Sequence, residues 1–136
     1  MPFVQFGQFT DLVLLVLRVT VGAIFIAHGL SKRPMWRTRP SEGMSARMLG
    51  LMRFLSIVEP LGGVALILGF LTPFAAFGHS IVMIGATYLK IFVWKSGFRG
   101  QQGTGWEFDL LILAACLAII VLGAGAWSLD RLVFGA

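Results

Sequence analysis

Four apolar stretches, at about 10–30, 51–71, 74–94 and 107–126, constrain this chain more than any other feature. Each is close to the ~20 residues that an α-helix needs to cross ~30 Å of hydrocarbon. Backbone N–H and C=O groups find no water in that layer, so each stretch is expected to satisfy them internally, as a helix. The expected fold class is all-α, an integral membrane four-transmembrane-helix bundle, with residues 1–136 forming a single four-helix membrane domain. With 57% hydrophobic residues against 12% charged, the composition excludes disorder and argues against a water-soluble globule. The N-terminus has no basic n-region and no A-x-A-like site behind the first apolar run. The first span is therefore expected to be retained and to serve as the insertion signal.

The connections differ sharply. Leu71-Thr72-Pro73 joins the second and third spans in a tight turn, with the proline opening the next helix. Residues 31–50 form a polar, basic loop that Pro34 and Pro40 keep from continuing as helix. Residues 95–105 form a glycine-rich loop. Lys32, Arg33, Arg37, Arg39 and Arg47 lie in the first long loop, and Lys95 and Arg99 in the second. The opposite side carries only Arg131, so the positive-inside rule places both long loops in the cytoplasm and both termini outside, in the cell inner (plasma) membrane. A net charge of +5 would suit nucleic acid, but against this apolar background the basic residues belong to membrane-facing loops. The expected partners are the lipid bilayer and other membrane protein subunits, and no nucleic acid.

Six ionisable side chains fall within or at the edges of the spans: Arg18, His28, Glu59, Lys90, Glu107 and Asp109. A charge at such depth costs about 2.5–3.5 kcal/mol on insertion scales, so each requires a partner or a wet cavity. At 1.5 Å of rise per residue, all but Arg18 converge on the cytoplasmic half, with Glu59 roughly 12 Å inside the second span. Arg18, His28, Glu59, Lys90 and Glu107 are the candidate substrate-binding polar pocket. Mutual charge pairing that only fixes helix register would account for Arg18, Glu59 and Glu107 as well. Lys32 and the loop arginines suit topology or snorkelling charges, Asp109 suits the start of the fourth helix, and His79 suits an interfacial position.

Helical spacing assigns faces. Asp11, Arg18, Phe25 and Lys32 recur every seven residues in the first span, flanked by Gly22 and Gly29. Glu59 shares a face with Gly62, Gly63 and Leu66. Ser80, Met83, Thr87 and Lys90 align in the third span, and Glu107, Leu111, Ala114 and Ala118 in the fourth. Small and polar faces of this kind allow close approach around a polar interior. Cys116 is the single cysteine, so no disulfide and no CxxC relay is possible within the chain. The two histidines lie on different spans at different expected depths, which argues against a bis-histidine haem or a metal site. The glycine loop lacks the βαβ setting of a dinucleotide fingerprint.

The residues resemble the DoxX family of small four-span membrane proteins. The resemblance is carried by Arg18, Gly22, Phe25, His28-Gly29 and Lys32, then by Glu59-Pro60-Leu61-Gly62-Gly63 with Leu66, Gly69 and Thr72. It continues through Gly97-Phe98, Gly105-Trp106-Glu107-Phe108 and Leu122-Gly123-Ala124-Gly125-Ala126-Trp127-Ser128-Leu129-Asp130. The chain departs from the family where Ile91-Phe92-Val93-Trp94-Lys95 stands in place of a frequent histidine, and in its long basic first loop. The resemblance implies an integral inner-membrane protein associated with redox systems, among them a terminal quinol oxidase and thiosulfate:quinone oxidoreduction. No covalently bound cofactor is expected. A quinone is the expected ligand, held by an apolar slot with His28, Glu59 and Glu107 handling protons and Arg18 or Lys90 as charge partners. Two functions stay open: a redox-associated subunit with a quinone-proximal pocket, or a non-catalytic assembly subunit of a larger membrane complex. Conduction of a small solute or of protons is a weaker third.

Overall fold

The computed structural model describes residues 6–136, and its regular structure is helical. Helix α1 (Thr10–Ser31) is followed by a 3-10 turn at Arg33–Trp36, α2 (Ala46–Leu68) and α3 (Thr72–Tyr88). α3 continues through a π-helical turn at Leu89–Val93; then come α4 (Trp106–Leu122) and the short α5 (Leu129–Phe134). α1 packs most extensively on α2 and α3 on α4, while α2 and α3 touch less.

Local chemistry explains where the helices depart from the expected spans. α2 starts at Ala46 rather than 51 because the Ser45 hydroxyl caps it, accepting from Met48 N at 3.2 Å. It ends at Gly69, whose φ of +65° favours glycine. α4 stops at Leu122, short of 126, because Gly123 turns to φ +82°. α5 follows a Ser128 cap and has no counterpart among the four apolar stretches.

The exterior is apolar: Phe74 is 76% exposed and Val121 82%, with Val13, Phe54 and Leu111 similarly turned outward. The interior holds Arg18, Glu59, His79 and Asp109 beside a core of Val21, Phe25, Leu66, Met83, Ile112 and Cys116. Apolar outside and charged inside is stable only with lipid as the surrounding solvent. α1 with its flanking turns, α2, and α3 with its π-turn are each long and apolar enough to cross a membrane. α4 has 17 residues, at the short end of the ~17–25 range for a spanning helix. The chain is an all-helical membrane protein.

Glycines set the α1–α2 contact. A Cβ on Gly22 or Gly63 would run into the other residue's carbonyl oxygen, and one on Gly29 would strike the Pro60 ring. Pro60 has no N–H for the Ser56 carbonyl, and its ring is what Gly29 receives. The expected faces of α1, α2 and α3 point inward, with Arg18, Phe25, Glu59, Gly63, Ser80 and Met83 all buried. α4 is the correction. Its buried face is Asp109, Ile112, Cys116 and Ile119, whereas Leu111, on the expected Glu107 face, is 68% exposed. Two residues along a helix is roughly 200° of rotation, so the two faces lie on opposite sides.

Candidate functional site

The buried charges divide between the two ends of the bundle. At the loop end, Lys32 follows α1 and reaches Glu59 on α2, Nζ to Oε2 at 2.7 Å, while also donating to the His28 carbonyl at 3.2 Å. Lys90, in the π-turn after α3, reaches Asp109 on α4, Nζ to Oδ1 at 3.0 Å. It also donates to Thr104 Oγ1 at 3.0 Å. Each pair joins an acid sunk in the bundle, Glu59 at 2% and Asp109 at 1% exposure, to a lysine nearer the rim. Pairing offsets part of the cost of bringing each charge out of water.

The π-turn places Lys90. Trp94 N donates to Leu89 O at 2.8 Å, one residue beyond α-helical spacing, a local widening that recurs at functional sites. The glycine loop then returns over the cluster. Glu107 N donates to Phe98 O at 3.1 Å, and Phe98 meets Trp106 edge-on at 4.6 Å. A Cβ on Gly105 would collide with the Phe98 backbone. This closed loop holds Thr104 beside Lys90.

Beneath the two pairs lies a cavity of about 590 Å³ between α2 and α3. His28, Lys32, Glu59, Lys90, Thr104 and Asp109 form its polar end; Phe54, Leu55, Val82, Met83, Ala86 and Trp94 are among its apolar walls. His28 is half-buried, its ring stacked on Phe108 at 5.6 Å. Asp109 Oδ2 is buried with no hydrogen-bond partner among the described residues. Carboxylates, ammoniums and an imidazole at the end of an apolar slot can grip a ligand's polar head from both sides and pass protons to it.

The opposite end is built differently. Arg18 is fully buried, donating from Nη1 to Leu66 O at 2.9 Å and Ile67 O at 3.3 Å, and from Nη2 to Trp127 O at 2.6 Å. It caps the C-terminus of α2, where carbonyls lack helical partners and the dipole is negative. Asp130 accepts from Leu71 N at 2.6 Å and Thr72 N at 2.9 Å, opening α3. Asp11 Oδ1 accepts from Ala126 N at 2.8 Å.

Of the expected pocket residues, the structure brings His28, Glu59 and Lys90 together. Arg18 sits at the other end on backbone carbonyls, and Glu107 is half-buried outside the cavity lining. Lys32 and Asp109 take part instead. Lys32 lies on the same seven-residue stripe as Arg18 and Phe25, a signal available in the sequence. Nothing in a uniformly apolar α4 favours Asp109 over Glu107. His79, expected at the interface, is buried at 3%, its ring 3.6 Å from Phe25 and its Nε2 3.2 Å from Glu59 O.

A family model described as DoxX matches residues 13–93. The Bacillus subtilis protein named "Putative oxidoreductase CatD" is 32% identical over 130 residues, 88% of this chain and 86% of the relative. "Inner membrane protein YqjF" of Escherichia coli is 30% identical over 125 residues, 90% and 93% of the two chains. "Uncharacterized membrane protein Rv3486" of Mycobacterium tuberculosis is 30% identical over 128 residues, 85% and 77% of the two chains. No solved structure matches. The family match runs from the first turn of α1 to the end of the π-turn, and with relatives aligned over most of their length it shows that the chain belongs to the DoxX family of membrane proteins.

Proposed function

We propose that the protein is a redox-associated membrane subunit whose loop-end cavity takes the head of a quinone-type molecule and exchanges protons with it. The cavity carries this reading: about 590 Å³, apolar along α2 and α3, ending on two lysine–carboxylate pairs and His28. Small-molecule sites commonly enclose ~300–1,000 Å³ with a few convergent polar groups. A quinone head requires donors at its carbonyl oxygens, and its reduced form requires acceptors for its hydroxyls. Lys32 and Lys90 supply the first; Glu59, Asp109 and His28 supply the second. The unpartnered Asp109 Oδ2 fits a hydroxyl donor. Exposed Phe54, Ile81 and Tyr88 on the cavity wall leave it open toward lipid, where such ligands dissolve.

When bound, a quinone would carry the electrons, exchanged with a partner subunit; this chain's residues orient the head and move protons. The oxidoreductase in the name of the Bacillus subtilis relative supports this reading. The orientation follows the lysines and arginines: loop end cytoplasmic, termini outside, in the inner membrane. Reporters fused to the C-terminus are expected to be active only on the outer side.

Binding decides the function. In lipid nanodiscs the protein is expected to bind a short-chain benzoquinol, with Asp109→Asn and Glu59→Gln each weakening it by about tenfold, near 1.4 kcal/mol. Unchanged affinity in both variants, or no binding by the wild type, defeats the quinone site. Stoichiometric co-purification with a membrane complex, together with no ligand binding, would favour the assembly role.

A further inference from the structure

A second cavity, of about 230 Å³, lies between α2 and α3 further toward the terminal end, lined by Val58, Leu61, Gly62, Phe74, Gly78 and Val82 among others. Glu59 and Val82 line both cavities, so the two adjoin along α2 and α3 in one line. Gly85 lines the first and Gly78 the second, seven residues apart on α3. Beyond the backbone of α3 itself, nothing among the described residues lies within 4 Å of where a Cβ would stand on either glycine. Gly22, Gly29, Gly62 and Gly63 are the opposite case, each needed to let another helix or ring approach. Glycine inside a helix is unfavourable relative to alanine, and at Gly78 and Gly85 no close packing compensates.

We infer that this groove is the track for the apolar tail of the ligand whose head occupies the loop-end cavity, and that Gly78 and Gly85 keep it open. The inference rests on the head cavity being a quinol site. The occupant is an alkyl- or prenyl-tailed quinol rather than a phospholipid. Asp109 is 1% exposed, lines the head cavity and leaves Oδ2 without a partner among the described residues, a spare acceptor for a hydroxyl-bearing head. The two lysine–carboxylate pairs at the head cavity carry no net charge between them, which suits a neutral head bearing carbonyls and hydroxyls, whereas an anionic phosphodiester would bring an unbalanced charge into a buried site. From Val82 to Phe74 the track follows eight residues of α3, roughly 12 Å. Its exposed apolar edges at Leu61 and Phe74 let a tail slide in from the bilayer without threading through the loops.

The test pairs two ligands with one variant. Wild type and Gly78→Leu in nanodiscs are titrated anaerobically with a decyl-tailed benzoquinol and with the same head bearing a methyl in place of the tail. Leucine at 78 fills the groove from open space, so Kd for the decyl ligand is expected to rise about tenfold while the methyl ligand is unchanged. Gly78→Ala should shift the decyl ligand the same way by less, which keeps the test intact if the leucine variant folds poorly. Wild type binding both ligands, with Gly78→Leu altering neither or both equally, overturns the tail track and leaves the head site standing. Wild type binding neither overturns the head site and the track with it. Native mass spectrometry showing a phospholipid lost from Gly78→Leu, with decyl affinity unchanged, assigns the groove to lipid and overturns the inference.

Discussion

A fully buried arginine inside a membrane bundle has to find acceptors for its N–H groups, and Arg18 finds them in the carbonyls of Leu66, Ile67 and Trp127. Main-chain carbonyls occur at every residue, so no pattern of side chains in the sequence could name these partners. Arg18→Met is expected to lower stability in detergent by about 2–3 kcal/mol, the scale of charge-assisted hydrogen bonds, while leaving quinol affinity unchanged. Thermal unfolding alongside a binding titration checks both halves. The Lys32–Glu59 pair gives a sharper test because its members are unequally placed: Glu59 is 2% exposed, while the Lys32 side chain retains 19% and sits on a flexible stem. With Glu59→Gln, the freed ammonium can swing to the interface. With Lys32→Met, the carboxylate stays where it is, a stranded buried charge. Lys32→Met should therefore cost more, about 3 kcal/mol, and the double variant should recover most of it. Equal losses from the two single variants would show that Lys32 is as confined as its partner.

Glycine works in two senses within the same elements, and substitution separates them. Gly63→Leu drives a side chain into the Gly22 carbonyl and Ile26, so it is expected to disrupt α1–α2 packing and prevent recovery of folded protein from detergent extracts. Gly78→Ala enters open space and, by removing backbone freedom, should leave the melting temperature unchanged or raise it, by the equivalent of at most about 1 kcal/mol. At this scale the sequence is informative wherever a helix is chemically lopsided. The seven-residue stripe of α1 and the Glu59–Gly63–Leu66 face of α2 point inward as their spacing indicates. α4 is apolar on all sides, so its rotation depends on whether Glu107 or Asp109 finds a partner. That partner is Lys90, whose position depends on a π-turn no periodicity reveals. α5 is too short and mixed to stand out as a span, yet its Asp130 holds the α2–α3 corner, accepting from Leu71 N and Thr72 N and donating its own N–H to Gly69 O.

Across the whole molecule, the terminal end is tied and the loop end is hollow. Arg18, Asp11 and Asp130 cross-link α1, the α2–α3 turn and the segment after α4, while the larger cavity lies between α2 and α3 at the loop end. A scaffold fixed at one end can leave the other free to admit a ligand without losing its register. Asp130→Ala should therefore cost about 2–3 kcal/mol in unfolding and expose the 69–73 turn to protease, with ligand affinity retained. Limited proteolysis and binding on the same sample check this. A fall in affinity as large as the fall in stability would mean that the two ends are coupled.

The hydrogen bond from Leu71 N to Asp130 carries a consequence for biogenesis. Leu71 adopts φ +48°, strained for a leucine, and the carboxylate that receives its N–H lies 59 residues later in the chain. As α2 and α3 leave the ribosome, their shared corner has no such support, and α4 has yet to be synthesised. The helices can partition into the bilayer one after another, but the corner cannot settle until the final segment has been translated and folded back. Nascent chains arrested after α4 should therefore sit in the membrane with every span inserted and the hairpin still loose, an open target for membrane-bound quality-control proteases until Asp130 arrives.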